Sequence, residues 1–167
     1  GKTPLANRSL TEQFTQRATR KNYLLLTDRR VPEESFTVES NICRVGERYA
    51  SAPAGSVAGE RAVTRFKLLE SGGGTSRVLA EPLTGRTHQI RVHLAHVGFP
   101  IAGDDKYGDF ARNKELARRG LKRMFLHASS VTFLHPIEEL TMTVEAPLPA
   151  ELQNFVTQLD GENVAPV

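Results

Sequence analysis

The spacing of apolar positions changes repeatedly along the chain, and each change marks an element. Thr3 and Pro4 supply a capping hydroxyl and a residue pre-set for a first helical turn, and Leu10, Phe14 and Ala18 then recur four apart, predicting a helix from Pro4 to Arg20. "NYLLLTD" is a short continuous apolar run suited to a buried strand, and Ser35 to Ile42 and Arg44 to Ala52 predict further strands around Asn41 and Gly46. "AVTRFKLLE" and "SRVLAEPL", joined by "SGGGT", predict a hairpin whose glycines supply positive φ. In "TGRTHQIRVHLAHVG", Ile90, Leu94 and Val97 form one helical stripe, with His88, Arg91 and Ala95 on an adjacent face and Gly98 and Pro100 ending the helix. After the turn-rich "AGDDKYGD", a short basic helix is expected from Lys114 to Arg119. "MFLHASSVTFLH" and "TMTVEAPL" read as two strands around "PIEE", and Ala150 to Leu159 as a closing helix with Leu152, Phe155, Val156 and Leu159 on one face. Strands that mostly follow one another, with helices inserted between them, predict an α+β fold with a largely antiparallel mixed sheet and flanking helices.

The 167 residues, 39% hydrophobic and 25% charged, suit one compact domain, expected over residues 1–160 with a flexible tail at 161–167. No run approaches the roughly 20 apolar residues of a membrane helix, no secretory h-region is visible at "GKTPLANRSL", and a single Cys43 forms no intramolecular disulfide. The expected setting is the cytoplasm, with no membrane partner. The net charge of +3 hides an asymmetry, because no Lys or Arg follows His135 and residues 1–135 hold all 22 basic side chains against 13 of the 19 acidic ones. Arg112, Lys114, Arg118, Arg119, Lys122 and Arg123 share their stretch only with Glu115, and Arg17, Arg20, Lys21, Arg29 and Arg30 share theirs only with Asp28. Such clusters fit a polyanion footprint and equally a solvated basic surface.

Three histidines in nine residues raise the question of metal. His88, His93 and His96 stand five and three apart, so only the last pair shares a helical face, and no second Cys or His pair completes a zinc set. Asp104 and Asp105 are neighbours in a turn, where capping suits them better than straddling a glycosidic bond. "SGGGTS" lacks the lysine and following helix of a phosphate loop.

"EPLTGRTHQIRVHLAHVGFPIAGDDKYG", "RMFLHASSVTFLHP" and "VEAPLP", in this order after "GKTPLANRSLTEQFTQRATRKNYLLL", resemble the C-terminal half of the RluA-type RNA pseudouridine synthases. The resemblance implies a partial pseudouridine synthase fold and the isomerisation of uridine in ribosomal or transfer RNA. The base is detached from ribose C1′, turned and rejoined through C5 beside an aspartate, with no metal or other cofactor. It also implies that Arg91 pairs with that aspartate, that Tyr23 of "KNY" packs on the target base, and that Arg86, His88 and Gln89 lie near RNA. Leu25 stands where the family usually has a small residue. An exposed helix arginine and a buried strand tyrosine are the plain alternatives for Arg91 and Tyr23. His127 is expected to be structural, and Lys114, Arg118, Arg119, Lys122 and Arg123 to add RNA contacts. The family's His-Arg-Leu-Asp nucleophile segment is absent from residues 1–167, and Asp28, Asp104 and Asp105 stand in other contexts. The resulting expectation is a fragment, inactive alone, in which Arg91 lacks its carboxylate and uncovered strand edges favour self-association. The competing expectation is a non-catalytic RNA-binding module on the same fold.

Overall fold

A computed structural model describes residues 1–16 and 18–163. Its elements are α1 (Pro4–Thr15), β1 (Arg20–Thr27), β2 (Ser35–Val45), β3 (Arg48–Ala52), β4 (Glu60–Gly72), β5 (Thr75–Pro82), α2 (Gln89–His96), α3 (Phe110–Arg118), β6 (Leu126–Leu134), β7 (Thr141–Glu145) and α4 (Ala150–Asn163). The strands form one seven-stranded sheet in the order β3-β2-β4-β5-β1-β6-β7. Each of the six pairings is antiparallel, so the expected α+β class holds and the sheet is less mixed than anticipated.

Local chemistry explains the turns. Gly72 pairs with Thr75 across Gly73 and Gly74, whose φ values of 61° and 80° are those a two-residue hairpin turn demands of both central positions. β1 lies between β5 and β6, and its apolar run is buried on both sides of the sheet. Leu25 packs with Val78, Ala80, Ile90 and Leu94 beneath α2. The next residue, Leu26, points to the other face and packs with Leu116, Leu121, Phe125 and the α4 residues Leu152, Phe155, Val156 and Leu159. The closing helix thus buries the stripe its sequence predicts.

Three predicted boundaries move. Thr3 does cap α1, accepting from Ala6 N at 3.1 Å, but the helix ends at Thr15 because Arg20 is captured by the β6 ladder opposite Thr132. Ala6, not Phe14, is its buried residue, and Phe14 remains 49% exposed. α2 ends at His96, so Val97 falls outside the helical stripe and is exposed, while Val92 and His93 join the core instead. α3 begins at Phe110, four residues early, since the Asp109 carboxylate accepts from Ala111 N and Arg112 N and caps it there. The anticipated 161–167 tail begins inside α4, which reaches Asn163; residues 164–167 and Arg17 lie outside the described residues.

Candidate active site

The segment between β5 and α2 carries the chemistry, and buried polar groups fix its path. Leu83 N donates to Val63 O, and Thr84, buried, accepts from Val63 N at 3.0 Å. Gln89 sits behind the loop. Its Nε2 donates to Val63 O and Thr64 Oγ1, and its Oε1 accepts from Thr84 Oγ1 and Arg86 N. With 4% exposure and both amide atoms committed, Gln89 braces the loop, and it also lines the cleft described below, where it is expected to lie near RNA.

The same network continues inward through His93, whose exposure is zero. Its Nδ1 lies 2.8 Å from Thr64 Oγ1 and its Nε2 3.0 Å from Ser40 Oγ, which in turn meets Ser51 Oγ at 3.0 Å. Thr64 Oγ1 accepts from Gln89, and His93 Nδ1 is the acceptor in reach of its buried hydroxyl hydrogen among the described residues, so every proton is used when Thr64 donates to Nδ1 and His93 donates through Nε2 to Ser40. Burial, with a smaller repulsion from His96, pushes the His93 pKa down to about 4, so the ring is neutral near pH 7. Both nitrogens therefore brace α2 against β2 and β4. Sequence spacing suggested neither this role nor those of Ser40 and Thr64.

Arg91 projects from α2 toward the "GDDKYG" turn. Its Nε donates to Asp104 Oδ2 at 2.9 Å and its NH2 to Asp104 Oδ1 at 2.8 Å, a two-pronged pairing with a carboxylate that is 1% exposed. Asp104 Oδ1 also accepts from Lys106 N and Tyr107 N, the turn-capping part expected of it. Burial alone would raise this carboxyl's pKa, but the Arg91 hydrogen bond and then the Tyr107 and Lys106 amides outweigh burial and hold it below the usual range. In return Asp104 raises the Arg91 pKa, chiefly through the hydrogen bond. Arg91 thus meets a carboxylate inside this chain, a partner the sequence did not disclose, while Asp104 lies outside the His-Arg-Leu-Asp context expected of the nucleophile. The fork's remaining terminal nitrogen, NH1, has no protein partner among the described residues.

Tyr107 completes the corner. Its ring lies between two guanidinium groups, 5.0 Å from Arg91 and 5.2 Å from Arg48 of β3. Its hydroxyl meets His88 Nδ1 at 2.8 Å and Tyr49 N at 3.1 Å. His88 precedes α2 with φ 54°, a left-handed conformation uncommon outside glycine and asparagine. Its pKa is lowered, first by burial and then by the Arg91 and Lys106 charges, with Asp104 opposing them.

Beside this corner opens a cleft of about 310 Å³ lined by Tyr23, Leu126, Ile90, Pro82, Arg91 and His88, with Lys21 and Arg86 on its wall. β1 delivers Tyr23 and α2 delivers Arg91, so residues 68 positions apart in sequence share one cavity. Lys21 and Leu126 are members that the sequence reading did not single out. Arg86 is partly occupied, its NH1 3.2 Å from Glu60 and its Nε donating to Arg61 O. Glu60 is 70% exposed, so this is a surface pair of small value that a phosphate can displace.

Lys114, Arg118, Arg119, Lys122 and Arg123 do not line the cleft. They lie on or just after α3, which packs with α4 on the Leu26 side of the sheet. Arg118 pairs with Glu115 within α3, while the acidic C-terminal helix supplies Glu162 to Arg119 and Glu151 to Arg123, two cations that looked unopposed in sequence. His127 bonds Ala146 O through Nε2, as expected of a structural residue. Among the described residues no group of three His, Cys, Asp or Glu side chains is arranged to hold a metal. No described helix is long and apolar enough to cross a membrane.

Comparison with known proteins agrees with this geometry. The family model for RNA pseudouridylate synthase matches residues 1–96. Ribosomal large subunit pseudouridine synthase C of Yersinia pestis is 40% identical over 158 residues, which cover 92% of this chain and 48% of the relative. The protein of the same description from Escherichia coli (strain K12) is 39% identical over 160 residues, 92% of this chain and 49% of its own length. The chain therefore spans about half the length of the curated relatives it matches. Among solved structures, Human RNA Pseudouridylate Synthase Domain Containing 1 superposes with a TM-score of 0.75 at 28% identity, covering 99% of this chain and 74% of the other.

Proposed function

Because the chain belongs to the RNA pseudouridylate synthase family, we propose that its cleft is the Arg91 and Tyr23 side of a site that converts uridine to pseudouridine in RNA, ribosomal RNA in the first instance. The observation that carries this reading is the meeting of Tyr23 and Arg91 in one cavity whose walls are apolar and whose rim is basic. A flipped-out base needs an aromatic or aliphatic surface on its faces and donors at its edges. Tyr23, Leu126, Ile90 and Pro82 provide the first, and Arg91, Arg86, Lys21 and His88 the second. The reaction is an isomerisation with no net redox change or hydrolysis, so the chain needs no cofactor for it.

In this reading Asp104 is a positioning residue. It holds Nε and NH2 of Arg91 and leaves NH1 for the nucleophilic carboxylate that the family supplies from its His-Arg-Leu-Asp segment. These 167 residues do not contain that segment, so the chain is inert by itself. Tritium release from 5-labelled uridine in ribosomal RNA tests this: the purified chain is expected to release none. Turnover by the chain alone would refute its inertness. Retention of RNA binding without turnover, when a His-Arg-Leu-Asp segment is joined ahead of Gly1, would instead favour a non-catalytic RNA-binding module. Lys114 and Lys122, which carry no acidic partner among the described residues, remain as peripheral RNA contacts.

A further inference from the structure

His88 stands at the cleft with one ring nitrogen committed and the other open. Tyr107 Oη is 2.8 Å from His88 Nδ1 and 3.1 Å from Tyr49 N. The Tyr49 amide can only donate, so it occupies a lone pair of the phenolic oxygen. If His88 also donated through Nδ1, the phenolic hydrogen would have no acceptor among the described groups. The arrangement in which every proton is used has Tyr107 donating to Nδ1, which places the imidazole proton on Nε2. The ring is held edge-on between two tyrosines, with centroids 5.5 Å from Tyr49 at 79° and 5.5 Å from Tyr107 at 70°. Nε2 has no protein partner among the described residues, and the ring lines the cleft.

We propose that His88 meets the RNA as a neutral hydrogen-bond donor through Nε2–H, with Tyr107 as the residue that selects its tautomer. The acceptor it suits is a carbonyl or hydroxyl oxygen of the target nucleotide. This rests on the reading of the cleft as an RNA site. The charged and titratable groups facing His88 are Arg91 from α2, Asp104 and Lys106 from the following turn, and Arg48, Tyr49 and Tyr107 around the ring. Cations outnumber the one carboxylate, and that carboxylate is already neutralised by Arg91, so the surroundings favour an uncharged imidazole. The role differs in kind from that of Arg86 or Lys21. A charged contact to phosphate releases counterions and steepens the salt dependence of binding, whereas a neutral donor adds affinity without changing that slope.

Two measurements on the full chain test the proposal separately. In long-range proton–nitrogen NMR at pH 7, His88 is expected to show a pyridine-type Nδ1 and a pyrrole-type Nε2, and Tyr107→Phe is expected to mix the two tautomers. A pyrrole-type Nδ1, or an imidazolium pattern, would overturn it without any RNA being present. In the second, anisotropy of a fluorescein-labelled oligo-uridine RNA is followed over a salt series. His88→Asn suits the left-handed backbone at this position and ends short of Nε2, so no donor remains where Nε2–H stood. It is expected to weaken binding about fivefold, the worth of one neutral hydrogen bond, at every salt concentration. The slope of log affinity against log salt should stay unchanged, while Arg86→Ala should lower it by about 0.7. A lowered slope in His88→Asn would make the contact cationic and refute the proposal, as would unchanged affinity. Circular dichroism of each variant reports folding independently. Failure of the wild-type chain to bind the RNA at all would instead overturn the RNA reading, and with it the acceptor assigned here.

Discussion

Replacing Asp104 by asparagine isolates what the buried ion pair contributes. In the native protein this carboxylate receives two hydrogen bonds from Arg91, at 2.9 and 2.8 Å, and two from the backbone amides of Lys106 and Tyr107. Asparagine keeps one carbonyl oxygen for the amides, so the turn survives, but its NH2 group confronts the guanidinium donor to donor. Removing one member of a buried pair costs about 3–5 kcal/mol, and the Arg91 side chain at 15% exposure gains some hydration, which places the expected loss near 3 kcal/mol. With a urea slope of about 2 kcal/mol per molar, the midpoint falls by about 1.5 M at unchanged slope. The pH dependence supplies a second check. The folded-state pKa of Asp104 is depressed, so its contribution is complete above the ordinary carboxylate pKa of about 3.9 and is lost as pH falls through the lower folded value. The gap between wild type and Asp104→Asn should therefore be constant from pH 7 to 5 and narrow only below about pH 4. A destabilisation below about 1 kcal/mol at pH 7 would refute the reasoning, because that is the scale of a solvent-exposed pair.

Further expectations concern separate parts of the molecule. His93 has a folded pKa of about 4 against about 6.5 unfolded, so the unfolded chain binds its proton first and stability falls as pH drops; urea unfolding should show a loss of about 2 kcal/mol between pH 7.5 and 5, and a flat profile would contradict the buried neutral ring. Tyr23→Phe should change stability by less than about 0.5 kcal/mol, the scale of substitutions outside packed or bonded features, because the hydroxyl has no hydrogen-bond partner among the described residues. Any loss in RNA affinity, read by anisotropy, would then report the hydroxyl's contact with the nucleotide. Lys114→Ala with Lys122→Ala should flatten the salt dependence of RNA binding, whereas Arg119→Ala, already paired with Glu162, should leave it unaltered. Leu134, Ile137, Leu140, Met142 and Val144 are exposed on and around the β6–β7 hairpin, and β7 is an edge strand, so light scattering should show mass rising with concentration and Val144→Lys should suppress it. A monomer throughout would count against that surface.

What the sequence disclosed depended on how local its cause was. The β4–β5 hairpin was legible because two adjacent glycines impose the turn, and the α4 stripe because four apolar residues on one face have only one way to be buried together. The end of α1 was not, since no glycine or proline stops the helix at Thr15 and the pairing that captures Arg20 comes from Thr132. The charge of the α3 region misled for the same reason. Its neutralising partners, Glu151 and Glu162, arrive from a helix 28 and 43 residues downstream, beyond any local window. Tyr23 and Arg91 were identified from their motifs, but neither spacing nor composition could show that they share a cavity. Asp104 was assigned its turn correctly, and its larger task went unseen because that task depends on where the turn folds back.

Asp104 also alters what Arg91 can do. An arginine with no partner would draw phosphate as well as carboxylate, and would swing on its flexible stem between them. Held at Nε and NH2 by a buried acid and flanked by the Tyr107 ring, this one has much of its charge compensated and its plane fixed. Its unpaired NH1 is then a directional donor more than a source of field. The attraction of the cleft for a polyanion falls instead to Lys21 and Arg86, whose restraints are weaker. On the proposed reading, Lys21 and Arg86 set how strongly RNA is drawn in, and Arg91 sets the geometry at the reacting sugar. The division has a cost in stability, since both charges of the pair are withdrawn from water, and it is recovered only if the fixed NH1 meets a second carboxylate. A site assembled in this way tolerates exchange of its rim cations far better than exchange of Arg91 for lysine, which preserves the charge and loses the fork.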